Sequence, residues 1–128
     1  MAGSSKSTKQ VDQKYIDYWR QQSANQAEKQ KQAVDQAWQE VRQIARCLRQ
    51  EFGAQRIVVF GSLVRGRFTP DSDIDLAVDH IPPHRYFAAV ARANDFSSRW
   101  VDLKPLDDLT PHFRERVLST GVDVDESP

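Results

Sequence analysis

The chain of 128 residues carries one cysteine, Cys47, so it cannot form an internal disulfide. Cys47 falls inside an apolar helical pattern and is expected to be a buried thiol in a reducing compartment. There is no charge of one sign to spare, since 18 basic and 18 acidic residues cancel. That balance speaks against a broad basic footprint and extensive nucleic-acid binding, leaving room only for a local basic cluster. No apolar run approaches the roughly 18 residues of a membrane span. The opening MAGSSKSTKQ lacks the apolar segment of a signal peptide. A cytoplasmic protein with no membrane partner is expected. Glycine is also scarce, with five in all, and neither glycine nor proline occurs between Val11 and Phe52. What remains is an ordinary polar globular composition, 39% apolar and 28% charged, of a length that fits one domain with one core.

Residues 1–10 are rich in Ser, Lys and Gln and are expected to form a disordered tail. Residues 11–52 read as an N-terminal helical extension dominated by helix formers. Val34, Trp38, Val41, Ala45, Leu48 and Phe52 recur at helical spacing, so that half docks on something. Upstream, Val11, Tyr15, Tyr18 and Trp19 make a shorter apolar face, and the intervening RQQSANQAEKQKQ is polar all round. Either the helix breaks there or it projects from the domain, with aromatics available to a partner protein.

Gly53 is a plausible helix stop, and residues 53–128 form the core. RIVVF (Arg56–Phe60) reads as a buried strand, Gly61-Ser62 opens a short helix, and RFTPDS is a loop with turn chemistry. DIDLAV (Asp73–Val78) is a second strand, His84–Phe96 a second main helix, and Arg99–Leu106 a third strand. Thr110, Pro111 and Gly121 bracket a last helix as cap, first position and stop. VDVDESP allows a short closing strand.

Two aspartates one residue apart on a strand demand explanation, because strands disfavour Asp and like charges repel. Alternation places Asp73 and Asp75 on one face and Ile74, Leu76 and Val78 on the other. In the third strand Val101 and Leu103 take the core face, so Asp102 joins the two acids if the strands pair. Hard cations resolve the repulsion; Mg2+ prefers oxygen donors and is held by one or two carboxylates plus substrate phosphates. Two such ions clamp the attacking and leaving oxygens of a phosphoryl displacement. Gly61-Ser62, at a strand-to-helix turn, offers backbone N–H groups to an anion such as a triphosphate, with Arg65 and Arg67 near enough in sequence to balance its charge. Singly, each piece is ordinary: a turn, a solvated edge, a surface arginine. Gly-Ser, ten residues, Asp-x-Asp on a strand and a carboxylate on the next strand form a far more demanding combination. His80, His84 and His112 show no ligand spacing, and Lys104, on the Asp102 face with Trp100, is expected to pair with a carboxylate.

GSLVRGRFTPDSDIDLAV resembles the signature of the DNA polymerase β-like nucleotidyltransferase superfamily, and is most similar to its minimal nucleotidyltransferases. The resemblance spans roughly Arg56 to Gly121. It implies an α+β fold, a small mixed β-sheet flanked by helices, here with a long N-terminal helix added. It implies transfer of a nucleoside monophosphate from a triphosphate, ATP by family default, with two Mg2+ ions. By motif position Gly61 and Ser62 hold the triphosphate, with Arg65 beside them. Asp73 and Asp75 hold both metals, and Asp102 holds the catalytic one and helps activate the acceptor hydroxyl. Minimal members often act as antitoxins that adenylylate a tyrosine of a HEPN-type ribonuclease toxin, and this chain shows no added domain to grip another acceptor. A small molecule or an RNA end as acceptor, or a non-catalytic binding antitoxin, are the alternatives.

Overall fold

A computed structural model describes the backbone of residues 2–125 and the side chains of residues 12–125. The disordered tail expected over residues 1–10 falls on residues whose side chains lie outside that description.

The first element, α1 (Ala2–Phe52), is one unbroken helix. The polar stretch does not interrupt it, because its Gln, Ala, Lys and Glu residues are good helix formers even without a buried face. Side-chain bonds one turn apart, Gln13 to Asp17 and Gln21 to Asn25, add small local support. Burial begins at Ala33, and from there Ala37, Val41, Ile44, Ala45, Leu48 and Phe52 line the core. Gly53, in the left-handed region at φ 80°, ends the helix, and the Ala54 N–H reaches back to the Leu48 carbonyl.

After this cap come β1 (Ile57–Phe60), the single turn α2 (Ser62–Arg65) and β2 (Ile74–Val78). A 3-10 turn leads into α3 (Tyr86–Asn94), followed by β3 (Val101–Pro105), α4 (Pro111–Thr120) and the two-residue β4 (Val122–Asp123). The sheet order is β3-β2-β1-β4. β1 is antiparallel to β2 and β4, while β2 and β3 are parallel. The fold is therefore the expected α+β arrangement, a small mixed sheet flanked by helices with a long N-terminal helix.

The alternation of strand side chains divides the interior in two. Ile57, Val59, Ile74, Leu76, Val78, Val101 and Leu103 meet α1 and α3 (Ala89, Ala93) in the larger cluster. Val58 and Ala77 face the other way, toward Val117 of α4 and Leu106. Cutting a buried aliphatic such as Leu76 back to alanine costs about 2–5 kcal/mol. This second face is only partly covered. On this face α4 meets the C-terminal end of β1 through Phe113 and Phe60, whose rings stand edge-on at 5.8 Å, and the neighbouring places near the start of β2 and β3 are taken by Asp75 and Asp102.

Cys47 is free and buried, and its Sγ donates to Glu51 Oε2 at 2.8 Å. Burial, reinforced by the Glu51 carboxylate, pushes the thiol up to about 11, so it stays protonated and unreactive near neutrality.

Candidate active site

The register of β2 and β3 sets Asp75 directly beside Asp102. Both sit on the α4 side of the sheet, because their neighbours Ile74, Leu76, Val101 and Leu103 are committed to the opposite core. Asp73 lies one residue before β2 begins and is exposed. Burial raises the pKa of Asp75, and the charges of Asp102 and Asp73 raise it further, while Lys104 lowers it. The three acids predicted to act together thus sense one another, with Asp75 at their centre.

Antiparallel pairing places Phe60 opposite Asp75, which brings the β1–α2 turn against the same carboxylate. Gly61 holds φ 79° and ψ −147°, a conformation open essentially to glycine alone. A Cβ there would collide with Asp75 Oδ2, whose Cγ and Cβ would stand at 3.2 and 3.4 Å. Glycine is required twice over, once for the backbone and once for the carboxylate lying across it. The Val64 and Arg65 N–H groups close the single turn of α2 onto the Gly61 carbonyl. The N–H groups of Ser62 and Leu63 precede those first intrahelical bonds, as in any helix start. Ser62 is half-buried, while Arg65 and Arg67, on either side of the left-handed Gly66, are exposed.

Several supports of this arrangement carry no sequence motif. The Arg99 guanidinium lies over the Phe68 ring at 4.6 Å, and its Nη1 donates to the carbonyls of Thr69, Pro70 and Ser72 at 3.2, 3.1 and 2.7 Å. One side chain thereby fixes the loop that delivers Asp73. Asn94 pairs with both backbone groups of Val101: its Nδ2 donates to the carbonyl at 3.1 Å and its Oδ1 accepts the N–H at 2.8 Å. The Tyr86 hydroxyl donates to the Leu103 carbonyl. Burial, then the nearby Asp102 and Asp108 charges, push that phenol up to about 12. Asp102 is thus held between two anchored residues.

Lys104 Nζ sits 2.7 Å from Asp102 Oδ2, the carboxylate pairing expected from their shared face. Among the described residues no three acid, histidine or cysteine side chains are preassembled as a metal cage. The donor set nonetheless suits a hard divalent cation. It is all oxygen, its central acid is destabilised by its neighbours, and an ammonium already lies against Asp102 where positive charge is wanted. His80, His84 and His112 are exposed and take no part, although His80 Nδ1 contacts Asp79 Oδ1 at 3.1 Å.

The sequence pattern of the nucleotidyltransferase domain matches residues 41–124. A solved minimal nucleotidyltransferase is similar at 27% identity over 69% of this chain and 93% of its own, with a TM-score of 0.59. A toxin-antitoxin MntA-HpeT mutant structure is similar at 25% identity, 66% of this chain and 71% of that one, with a TM-score of 0.56. A toxin-antitoxin crystal structure with AMP-PNP shares the fold at 22% identity, over 69% and 73% of the two chains, with a TM-score of 0.56. No curated protein matches the chain.

Proposed function

This chain belongs to the nucleotidyltransferase domain family, and on that premise we propose that it transfers AMP from ATP to a tyrosine hydroxyl of a HEPN-type ribonuclease toxin, acting as its antitoxin. The observation that carries this reading is the in-register pair Asp75 and Asp102 on a sheet face bordered by Gly61. A neighbour solved as a toxin-antitoxin with AMP-PNP supports the choice of nucleotide and of partner class.

In this reading the N–H groups at Gly61 and Ser62 and the Ser62 hydroxyl receive the triphosphate. Arg65 and Arg67 offset the charge that builds on the leaving pyrophosphate. Asp73, Asp75 and Asp102 would hold two Mg2+ ions, which would compete with the Lys104 ammonium for Asp102. When bound, these ions supply charge neutralisation on the phosphates and acidify the acceptor hydroxyl. Asp102, on the outermost strand β3, receives the acceptor. It orients the hydroxyl and accepts its proton as the oxygen attacks the α-phosphorus and the bond to pyrophosphate breaks. Tyr86, Asn94 and Arg99 keep the carboxylates in place, as reaction geometry requires.

The test is incubation of the purified chain with α-labelled ATP, Mg2+ and the HEPN-type protein. Label on a tyrosine of that protein, lost with Asp75→Asn, is expected. Label appearing only on an RNA or a small molecule, or persisting in Asp75→Asn within a few-fold of wild type, would refute the assignment.

A further inference from the structure

The family pattern begins at residue 41 and leaves the first half of α1 outside it. Among the described residues, 12–32 form a largely exposed helical arm. Tyr15, Ile16, Tyr18 and Trp19 are 63, 43, 58 and 51% exposed, and Trp19 meets both tyrosine rings edge-on, at 5.9 and 5.7 Å. So large an apolar cluster on an otherwise polar helix is not explained by the helix itself.

Its position is set by helical phase. Eighteen residues make five turns. Tyr15, Ile16 and Trp19 therefore project on the same side as Ala33, Val34 and Ala37, which pack on the core. The cluster stands about 27 Å further along that side. The direction of the arm follows from α3, which runs antiparallel to α1. Arg85, at the start of α3, bonds to the Glu51 carbonyl and lies over the Phe52 ring, while Arg92 and Asp95, at its other end, lie close enough to Cys47, one turn earlier in α1, to act on its thiol. From Phe96 the chain turns into β3 at Trp100 and Asp102. Moving backward along α1 thus leads to the end of the sheet that carries the acids, and the arm continues past it with its aromatic side turned toward the space there.

We infer that the arm is the docking surface for the acceptor protein, a folded domain that seats an apolar pocket on Tyr15, Ile16 and Trp19 while offering its hydroxyl at Asp102. The inference rests on the transferase reading above and deepens it by assigning what selects the acceptor. Size argues for this occupant: a body that holds the cluster and also reaches the domain must span the roughly 27 Å of helix before Ala33 and Ala37, which takes a folded domain. A second copy gripping the arm alone has too little to hold. The face over residues 12–32, half the lateral surface of a cylinder about 30 Å long and 11 Å across, offers about 500 Å2, short of the roughly 800 Å2 per side of a stable interface. An acceptor also gains the rim of the sheet, where Trp100 is 55% exposed beside the acids.

The test compares wild type with Tyr15→Ala/Trp19→Ala, both full length, using the HEPN-type protein as probe. Binding is read by calorimetry, transfer with α-labelled ATP and Mg2+, nucleotide binding by the melting shift with AMP-PNP, and self-association by sedimentation. The variant is expected to weaken binding and raise the KM for the protein acceptor at least tenfold, the effect of losing a buried aromatic anchor. It should leave kcat within twofold and the AMP-PNP shift unchanged. Equal Kd and KM in the two proteins overturn the arm assignment alone. Binding by wild type without label overturns the transferase reading alone, and loss of that binding in the variant still upholds the arm. A wild-type dimer that the variant dissociates assigns the surface to a second copy and overturns the proposal. Wild type that neither binds nor labels overturns both.

Discussion

Replacing Gly61 with alanine tests the site without removing any ionisable group. Two costs add. Alanine at φ 79°, ψ −147° sits in a backbone region that costs of order 1–3 kcal/mol. The new Cβ also collides with Asp75 Oδ2, so that oxygen must retreat by roughly an ångström, at about 0.5–1.5 kcal/mol of off-rotamer strain. Gly61→Ala should therefore lower unfolding free energy by about 1.5–4.5 kcal/mol. Only the second part depends on the carboxylate. In an Asp75→Ala background the nearest remaining atom of residue 75 is its Cβ at 3.4 Å, an ordinary contact, and the cost of Gly61→Ala should fall by about 0.5–1.5 kcal/mol. Urea unfolding of the four proteins in EDTA closes the cycle. Additivity within about 0.3 kcal/mol would show that Asp75 does not lie against the turn, and the proximity on which the transfer mechanism depends would be lost.

Gly121 differs, since its φ of −76° suits any residue, yet an added Cβ would lie 2.5 Å from both the Val117 carbonyl and Val58 Cγ1. Gly121→Ala should destabilise by about 2 kcal/mol or more through overpacking, and a loss below about 0.5 kcal/mol in urea would refute that contact. Asp75→Asn should abolish transfer but stabilise the metal-free protein at pH above the folded pKa of Asp75. The raised pKa of Asp75 means that its ionisation opposes folding, so the gain is present above the folded pKa and fades as pH falls through it toward the unfolded value near 4. A stability difference that does not vary with pH would contradict the crowding of the acids. Asp79 has the opposite sign. Burial alone raises its pKa, but N–H groups of Arg56 and Gln55 and the His80 ring outweigh it and hold it below the usual range. Its contribution, about 1 kcal/mol, is complete above the unfolded pKa near 4 and lost as pH falls through the folded one. Asp79→Asn should accordingly cost stability at pH 7 and little at pH 2, measured by urea melts at both.

Period-two alternation revealed the two faces of β2 and β3, because one face is buried and tolerates no slip. The pairing of Asp75 with Asp102 follows from that once the strands are adjacent. The Gly-Ser turn was legible for a similar reason, since few residues can occupy a conformation like that of Gly61. The continuity of α1 was not decidable from its pattern. Burial disappears through the polar stretch while propensity persists, and only the latter governs an exposed helix. Arg99, Asn94 and Tyr86 left no trace. Their bonds cross 7 to 30 residues and depend on where a side chain ends rather than on any spacing. The site is thus written in the sequence as a set of donors, whereas the scaffolding that aims them appears only after folding.

The Asn94 amide has a consequence beyond holding Val101. β3 forms one outer margin of the sheet, and an unpaired margin is a template onto which a foreign strand can stack. By occupying both backbone groups of Val101, the amide imitates one rung of a neighbouring strand. At the far margin β4 is two residues long, too short to nucleate a ladder. The protein can therefore expose acids, aromatics and a long helix to its surroundings without inviting amyloid-like growth, since both borders of its sheet are blunted.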